Sequence, residues 1–233
     1  IKVDSVKNYG GKVLLYGDTF DEAFDYATSL AKKDGFTFIH PYDDLDVIVG
    51  QGTVGKEIFE EIGSSIDAVF VPVGGGGLLA GLGTYLKSVS PNTKIIGVEP
   101  EDAACLKLAL ENNKRLALKE VGLFADGVAV KQIGKKTFSL IKDWIDDVVT
   151  VSVDEMCASV QDTFQETRIM SEPAGALALA GLKKYVQSRG IKNKKLVAIN
   201  SGANLNFDRL GHIVERVQLG AVSYTHLRAH ETY

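Results

Sequence analysis

Four consecutive glycines, Gly74 to Gly77, follow the apolar run Ile66-Asp67-Ala68-Val69-Phe70-Val71-Pro72-Val73 and precede Leu78-Leu79-Ala80-Gly81-Leu82. Buried strand, bare backbone, small-residue helix: this is the order in which a chain builds an anion cradle. Backbone N–H groups without side chains can close around a phosphate, and the helix N-terminus adds about half a positive charge. A tight turn alone needs fewer glycines, so the run points to a phosphate site.

Strand-then-helix units recur around that loop. Strands are expected at Ala68 to Val73, Lys94 to Val98, Val148 to Val151 and Leu196 to Ile199. Most are short, continuous and β-branched, as strands covered on both faces are. Ser152 and Glu155 form a capping box ahead of Met156, Val160 and Phe164. Ser171-Glu172-Pro173 starts another helix, with proline in the first turn, and its Ala/Gly-rich body suits close packing on a sheet. The fold class is therefore α/β, with an open, mostly parallel, doubly wound sheet. Upstream, Lys12 to Tyr16 and Phe36 to Ile39 read as strands around a helix capped by Asp18 or Thr19 and stopped by Gly35. Gln51-Gly52-Thr53 opens a helix running to about Ile62. Ligands of such sheets sit beyond the carboxyl ends of the strands. Gly74 to Gly77, Glu99 and Asn200-Ser201-Gly202-Ala203-Asn204 are expected to share that rim.

Composition removes several functions. With 233 residues, 45% of them hydrophobic, the chain can bury a substantial core. A net charge of -4 with scattered basic residues gives no footprint for nucleic acid. No run of 18 apolar residues occurs, so no membrane span is expected. Cys105 and Cys157 lie far apart without a CxxC pair, and both read as small buried hydrophobes in a reducing cytoplasm. His226 and His230 have helical spacing but lie in a C-terminal tail where no metal site is expected. The start, Ile1-Lys2-Val3-Asp4, lacks both methionine and a signal-type apolar stretch, and reads as a trimmed or partial chain.

Two ligands compete for the loop. Gly75-Gly76-Gly77-Leu78-Leu79-Ala80 satisfies G-x-G-x-x-A, and Glu99 follows about 20 residues on, where a ribose-binding acid belongs. A nicotinamide-dependent dehydrogenase would use both.

Four strings point elsewhere. Asp67 to Leu78, Gly122-Leu123-Phe124-Ala125-Asp126-Gly127-Val128-Ala129-Val130, Ser171 to Ala176 and Asn200 to Asn204 resemble fold-type II pyridoxal-phosphate enzymes, the tryptophan synthase β-like fold. Taken in order, from about residue 1 to Gly220, they look like the biosynthetic threonine ammonia-lyase (threonine deaminase) family. The resemblance implies pyridoxal 5′-phosphate as cofactor and a lyase of isoleucine biosynthesis. Such an enzyme takes L-threonine to 2-oxobutanoate and ammonia, and L-serine to pyruvate. It implies that Gly74, Gly75, Gly76 and Gly77, with the Leu78 amide, hold the 5′-phosphate, and that Gly127 lies against the cofactor face. Glu172 matches a carboxylate near the ring, and Ser201 the hydroxyl that bonds the pyridine nitrogen. Small-molecule amino-acid substrates and a homotetramer are likewise implied. Serine racemase and serine dehydratase share the glycine loop and are the near alternatives.

The resemblance also implies absences. The Schiff-base lysine of that family lies in an upstream Ser-Phe-Lys-type motif, which does not occur here, so no catalytic residue is identified and the chain is expected to be inactive alone. Lys87, Lys131, Lys183 and Lys184 read as surface charge. Cys105 stands where serine racemases place a second carboxylate for a divalent cation, so no metal is expected. Residues 1–42 read as the remnant of a smaller lobe with an exposed sheet edge and apolar face, and 43–219 as the large cofactor domain. Residues 220–233 read as a disordered or adapter-derived tail in place of a regulatory domain.

Overall fold

The computed structural model describes residues 2–17 and 20–230, with side chains for 2–17 and 22–219. Its four strands are β1 (Ala68–Pro72), β2 (Lys94–Pro100), β3 (Asp147–Val151) and β4 (Leu196–Ala198). All run parallel in the order β3-β2-β1-β4. Among the described residues the helices are α1 (Lys2–Asn8), α2 (Phe20–Asp34), α3 (Leu45–Ile62), α4 (Gly77–Val89), α5 (Cys105–Glu111), α6 (Lys135–Ile141), α7 (Val153–Thr167), α8 (Pro173–Arg189) and α9 (Phe207–His230). Two compact units divide the chain, Ile1–His40 and Pro41–Tyr233.

Alternation along β1 distributes the core. Val69 and Val71 pack with Leu79, Leu82, Leu86 and Ile48 on one face of the sheet. Ala68 and Phe70 face Ala174, Leu177 and Ala178 on the other. β1 and most of β2 are buried throughout, as continuous β-branched strands require. The edge strands depart from that expectation: β4, and β3 except Val151, are only half covered.

The expected capping box is present. The Ser152 hydroxyl accepts from the Glu155 N–H at 3.2 Å, and the Glu155 carboxylate accepts from the Ser152 N–H at 2.7 Å. Ser152→Ala should lower unfolding free energy by about 1 kcal/mol, read from a urea transition; no change would mean that the reciprocal bond carries the cap. α8 begins with Pro173 at its first position and ends at left-handed Gly190.

Three sequence expectations need correction. Residues 12–16 and 36–39 form no strand, because neither finds a ladder partner among the described residues and a lone strand leaves its polar groups unpaired. Among the described residues of that unit no sheet edge is exposed, whereas Leu15, Phe36 and Ile39 are exposed apolar residues. α3 begins at Leu45, earlier than Gln51, because the Asp44 carboxylate caps it through the Asp46 N–H at 2.9 Å. The proposed α2 caps, Asp18 and Thr19, lie outside the described residues. α9 runs from Phe207 to His230 and so takes in backbone of the segment expected as a tail.

Candidate cofactor site

The strand order reverses at β1, because β2 and β3 extend to one side and β4 returns on the other. That switch opens a crevice beyond the carboxyl ends of β1 and β4, where ligands of open α/β sheets bind. Gly74 to Gly77 leave β1 there, and Asn200 to Asn204 leave β4.

Three glycine carbonyls are each fastened to a different part of the chain. Gly74 O accepts the Cys105 thiol at 3.5 Å. Gly75 O accepts the Thr137 hydroxyl at 2.8 Å and the Gly134 N–H at 3.2 Å. Gly76 O accepts the Ala80 N–H at 2.8 Å. Among the described residues, by contrast, the N–H groups from Gly74 to Leu79 have no acceptor in the chain, although Gly75, Gly76 and Gly77 are buried. Buried N–H groups are almost always paired, and an anion is one partner that could satisfy this row together with the opening amides of α4. Gly76, at φ 91°, supplies the left-handed step that lets successive amides converge. The Tyr42 ring lies against Gly75, and the Tyr42 Cβ is 3.0 Å from where a Cβ on Gly77 would sit. The cradle fits a phosphate.

The second group of expected residues gathers beside it. Val128 packs on Gly74, 2.9 Å from the position of a Cβ there, and places Gly127 next to Ala174 and Glu172. The Glu172 N–H donates to Gly202 O at 3.1 Å, and its carboxylate lies against Gly202. Ser201 is exposed, and its hydroxyl makes only a long 3.4 Å contact with Ala174 O, so it is free to turn to another acceptor. Asn200 holds this loop by donating to the buried Ser171 hydroxyl at 2.7 Å. The structure thus links Gly74, Gly127, Glu172 and the Ser201 loop through a relay of contacts beyond the carboxyl ends of β1 and β4.

Glu99 is the correction. Its side chain is fully buried and accepts the Leu106 N–H at 2.7 Å and the Lys107 N–H at 2.9 Å, the opening amides of α5. Burial pushes its pKa from 4.5 up to about 7 against the opposing pull of those donors. A carboxylate committed to a helix end cannot also hold a ribose, so the dinucleotide reading loses its acid. Burial likewise raises the pKa of both thiols, Cys105 and Cys157.

Lys131 and Lys183 are exposed and Lys184 is partly exposed, whereas Lys87, expected at the surface, is largely covered. Lys87 pairs with Asp146 at 2.7 Å, Lys183 with Asp162, and Lys184 with Glu155 at 3.0 Å and Glu101 at 3.3 Å. Lys184 has its pKa raised by those carboxylates despite partial desolvation, the opposite of what an amine nucleophile needs. Among the described residues no cluster of three or more His, Cys, Asp or Glu side chains is placed to hold a metal.

Sequence reasoning missed Tyr42, Asp43 and Thr137. The Asp43 carboxylate caps α6, accepting from Lys135 N at 2.9 Å, Lys136 N at 2.7 Å and Thr137 N at 3.2 Å. The Asp43-Asp44 pair ahead of an apolar helix was a visible cap signal, but nothing local tied it to α6.

The chain is 54% identical over 220 residues to the chloroplastic biosynthetic threonine dehydratase 1 of Solanum lycopersicum, covering 94% of the chain and 36% of that protein. It is 48% identical over 223 residues to the biosynthetic L-threonine dehydratase of Burkholderia multivorans, covering 94% and 44%. It therefore spans less than half the length of these curated relatives. The solved structure of the processed form of threonine deaminase isoform 2 from Solanum lycopersicum matches with a TM-score of 0.91 at 48% identity, over 94% of this chain and 60% of that one. Residues 1–202 match the family described as pyridoxal-phosphate dependent enzyme, and the chain belongs to that family.

Proposed function

We propose that this chain is the cofactor-holding part of a threonine ammonia-lyase, which converts L-threonine to 2-oxobutanoate and ammonia and L-serine to pyruvate in isoleucine biosynthesis. The row of buried, acceptor-less N–H groups at the switch point carries the reading, supported by the identity to biosynthetic threonine dehydratases. Bound pyridoxal phosphate supplies an electron sink for bond breaking at the amino-acid Cα.

The residues of the chain do the rest. Gly74, Gly75, Gly76, Gly77 and the Leu78 amide hold the phosphate end, and their fixed orientation means that binding costs little reorganisation. Gly127 leaves room for the ring face, and Glu172 stands at its margin. Ser201 would offer the ring nitrogen a neutral hydroxyl partner rather than a carboxylate, and a ring so held would be the weaker electron sink, suited to loss of a β-hydroxyl. No lysine of the chain is assigned the covalent role.

Residues 43–219 are proposed as the cofactor domain, 1–42 as part of a smaller lobe, and the whole enzyme as a homotetramer. No described helix is long and apolar enough to cross a membrane. A cytoplasmic location suits the two free thiols, although relatives with chloroplastic and mitochondrial names occur alongside bacterial ones.

Equilibrium dialysis of the chain should give one bound pyridoxal 5′-phosphate and no bound NAD; the reverse would overturn the cofactor assignment. In the polypeptide that carries this sequence, Ser201→Ala should lower kcat for 2-oxobutanoate release roughly tenfold while leaving cofactor affinity nearly intact. An unchanged kcat would remove Ser201 from the site.

A further inference from the structure

Fixing a peptide carbonyl also aims the next residue's amide. The peptide unit is planar and trans, so C=O and the following N–H point in opposite directions. Gripping Gly75 O from behind therefore turns the Gly76 N–H forward. The Thr137 hydroxyl makes that grip at 2.8 Å, from a side chain with no exposed surface. Its β-branched Cβ restricts χ1, so the hydroxyl is presented with little rotational freedom.

Thr137 is itself held from two sides. The Asp43 carboxylate accepts the N–H groups of Lys135, Lys136 and Thr137, which pins the first turn of α6 to the segment ahead of α3. Tyr42, next to Asp43, lies against the glycine loop. Gly134 N adds a second, longer bond to the same Gly75 oxygen. A carbonyl that accepts hydrogen bonds also polarises the N–H of its own peptide unit, which strengthens that group as an anion donor.

We propose that Thr137 is a positioning residue for the phosphate cradle: through Gly75 O it aims and polarises the Gly76 N–H toward the anionic end of the cofactor. The inference rests on the pyridoxal-phosphate reading of the loop and adds a residue that the family motifs do not single out. Thr137 touches no cofactor atom in this role. It sets the affinity for the phosphate through a backbone amide.

The test uses the full chain as wild type, Thr137→Val and Thr137→Ser. Pyridoxal 5′-phosphate is titrated by equilibrium dialysis, inorganic phosphate is titrated while following the Gly76 amide proton by NMR, and unliganded stability is measured in urea. Valine keeps the shape and loses the hydroxyl, so its pyridoxal 5′-phosphate affinity should fall roughly tenfold, the worth of one good hydrogen bond. The phosphate-induced shift of the Gly76 amide should shrink with it. Serine should restore both to near the wild-type values, even if it is slightly less stable. Wild-type affinity and amide shift in the valine variant would overturn the proposal. So would equal losses in the valine and serine variants that track unliganded stability, because the role would then be packing alone. A wild-type chain whose Gly76 amide ignores phosphate and which binds no cofactor would instead bring down the cradle assignment itself, and this inference with it.

Discussion

Gly81→Ala is expected to be among the most damaging single-methyl changes in the chain. α3 and α4 meet backbone to backbone, and a Cβ on Gly81 would overlap the Ile48 carbonyl and lie 2.7 Å from the Gly52 nitrogen. Neither atom belongs to a flexible side chain, so the helices must separate. Overpacking of a tight core costs about 1–3 kcal/mol, and a backbone clash belongs at or above the top of that range. At about 3 kcal/mol, the melting temperature of a unit this size should fall by roughly 6–12 °C. Gly50→Ala is the control. Gly50 is exposed in the same α3 and has nothing near its missing Cβ, so alanine should stabilise by up to about 1 kcal/mol through helix propensity. Opposite signs from the same chemical change in two packed helices would isolate the close approach; a mild Gly81→Ala phenotype would show that α3 can slide.

Glu99 should impose a pH dependence on stability that runs against the usual trend for a carboxylate. Burial raises its native pKa from 4.5 to about 7, so between those values the native state holds a proton that the unfolded chain has released. Stability from this group is fully present below pH 4.5 and is lost as pH rises through 7. The difference amounts to roughly 3 kcal/mol across the window. The groups facing the carboxyl are the Leu106 and Lys107 amides, the Cys105 thiol and, weakly, the Lys107 charge, and all of these lower its pKa without cancelling the burial. Glu99→Gln mimics the protonated form and should flatten the loss of stability seen between pH 5 and 7 in urea titrations. Parallel pH profiles for the two proteins would mean that the carboxyl is hydrated in solution.

What was readable in the sequence was local or periodic. The Ser152–Glu155 box, the Pro173 helix start and the four strand cores depend on neighbours within a few positions, and all appear. Gln51-Gly52-Thr53 misled because glycines read as breakers, whereas here they let α3 approach α4. Glu99 misled for a different reason: an acid at the end of the second strand has the same spacing whether it holds a ribose or caps α5. Residues 12–16 and 36–39 had strand composition, yet a strand exists only with a partner. The positioning side chains were out of reach altogether, since Thr137 acts on a carbonyl 62 positions away and Asp43 on amides 92 to 94 positions away.

The two ends of the crevice are built on supports of unequal stiffness. The glycines spring from β1, an interior strand covered along its whole length, whereas the loop bearing Ser201 hangs from β4, a half-covered margin of three residues. Under the proposed cofactor reading, a ligand bridging them would be moored at its tail and loosely gimballed at its head, so tilt of the head group would leave the anchor in place.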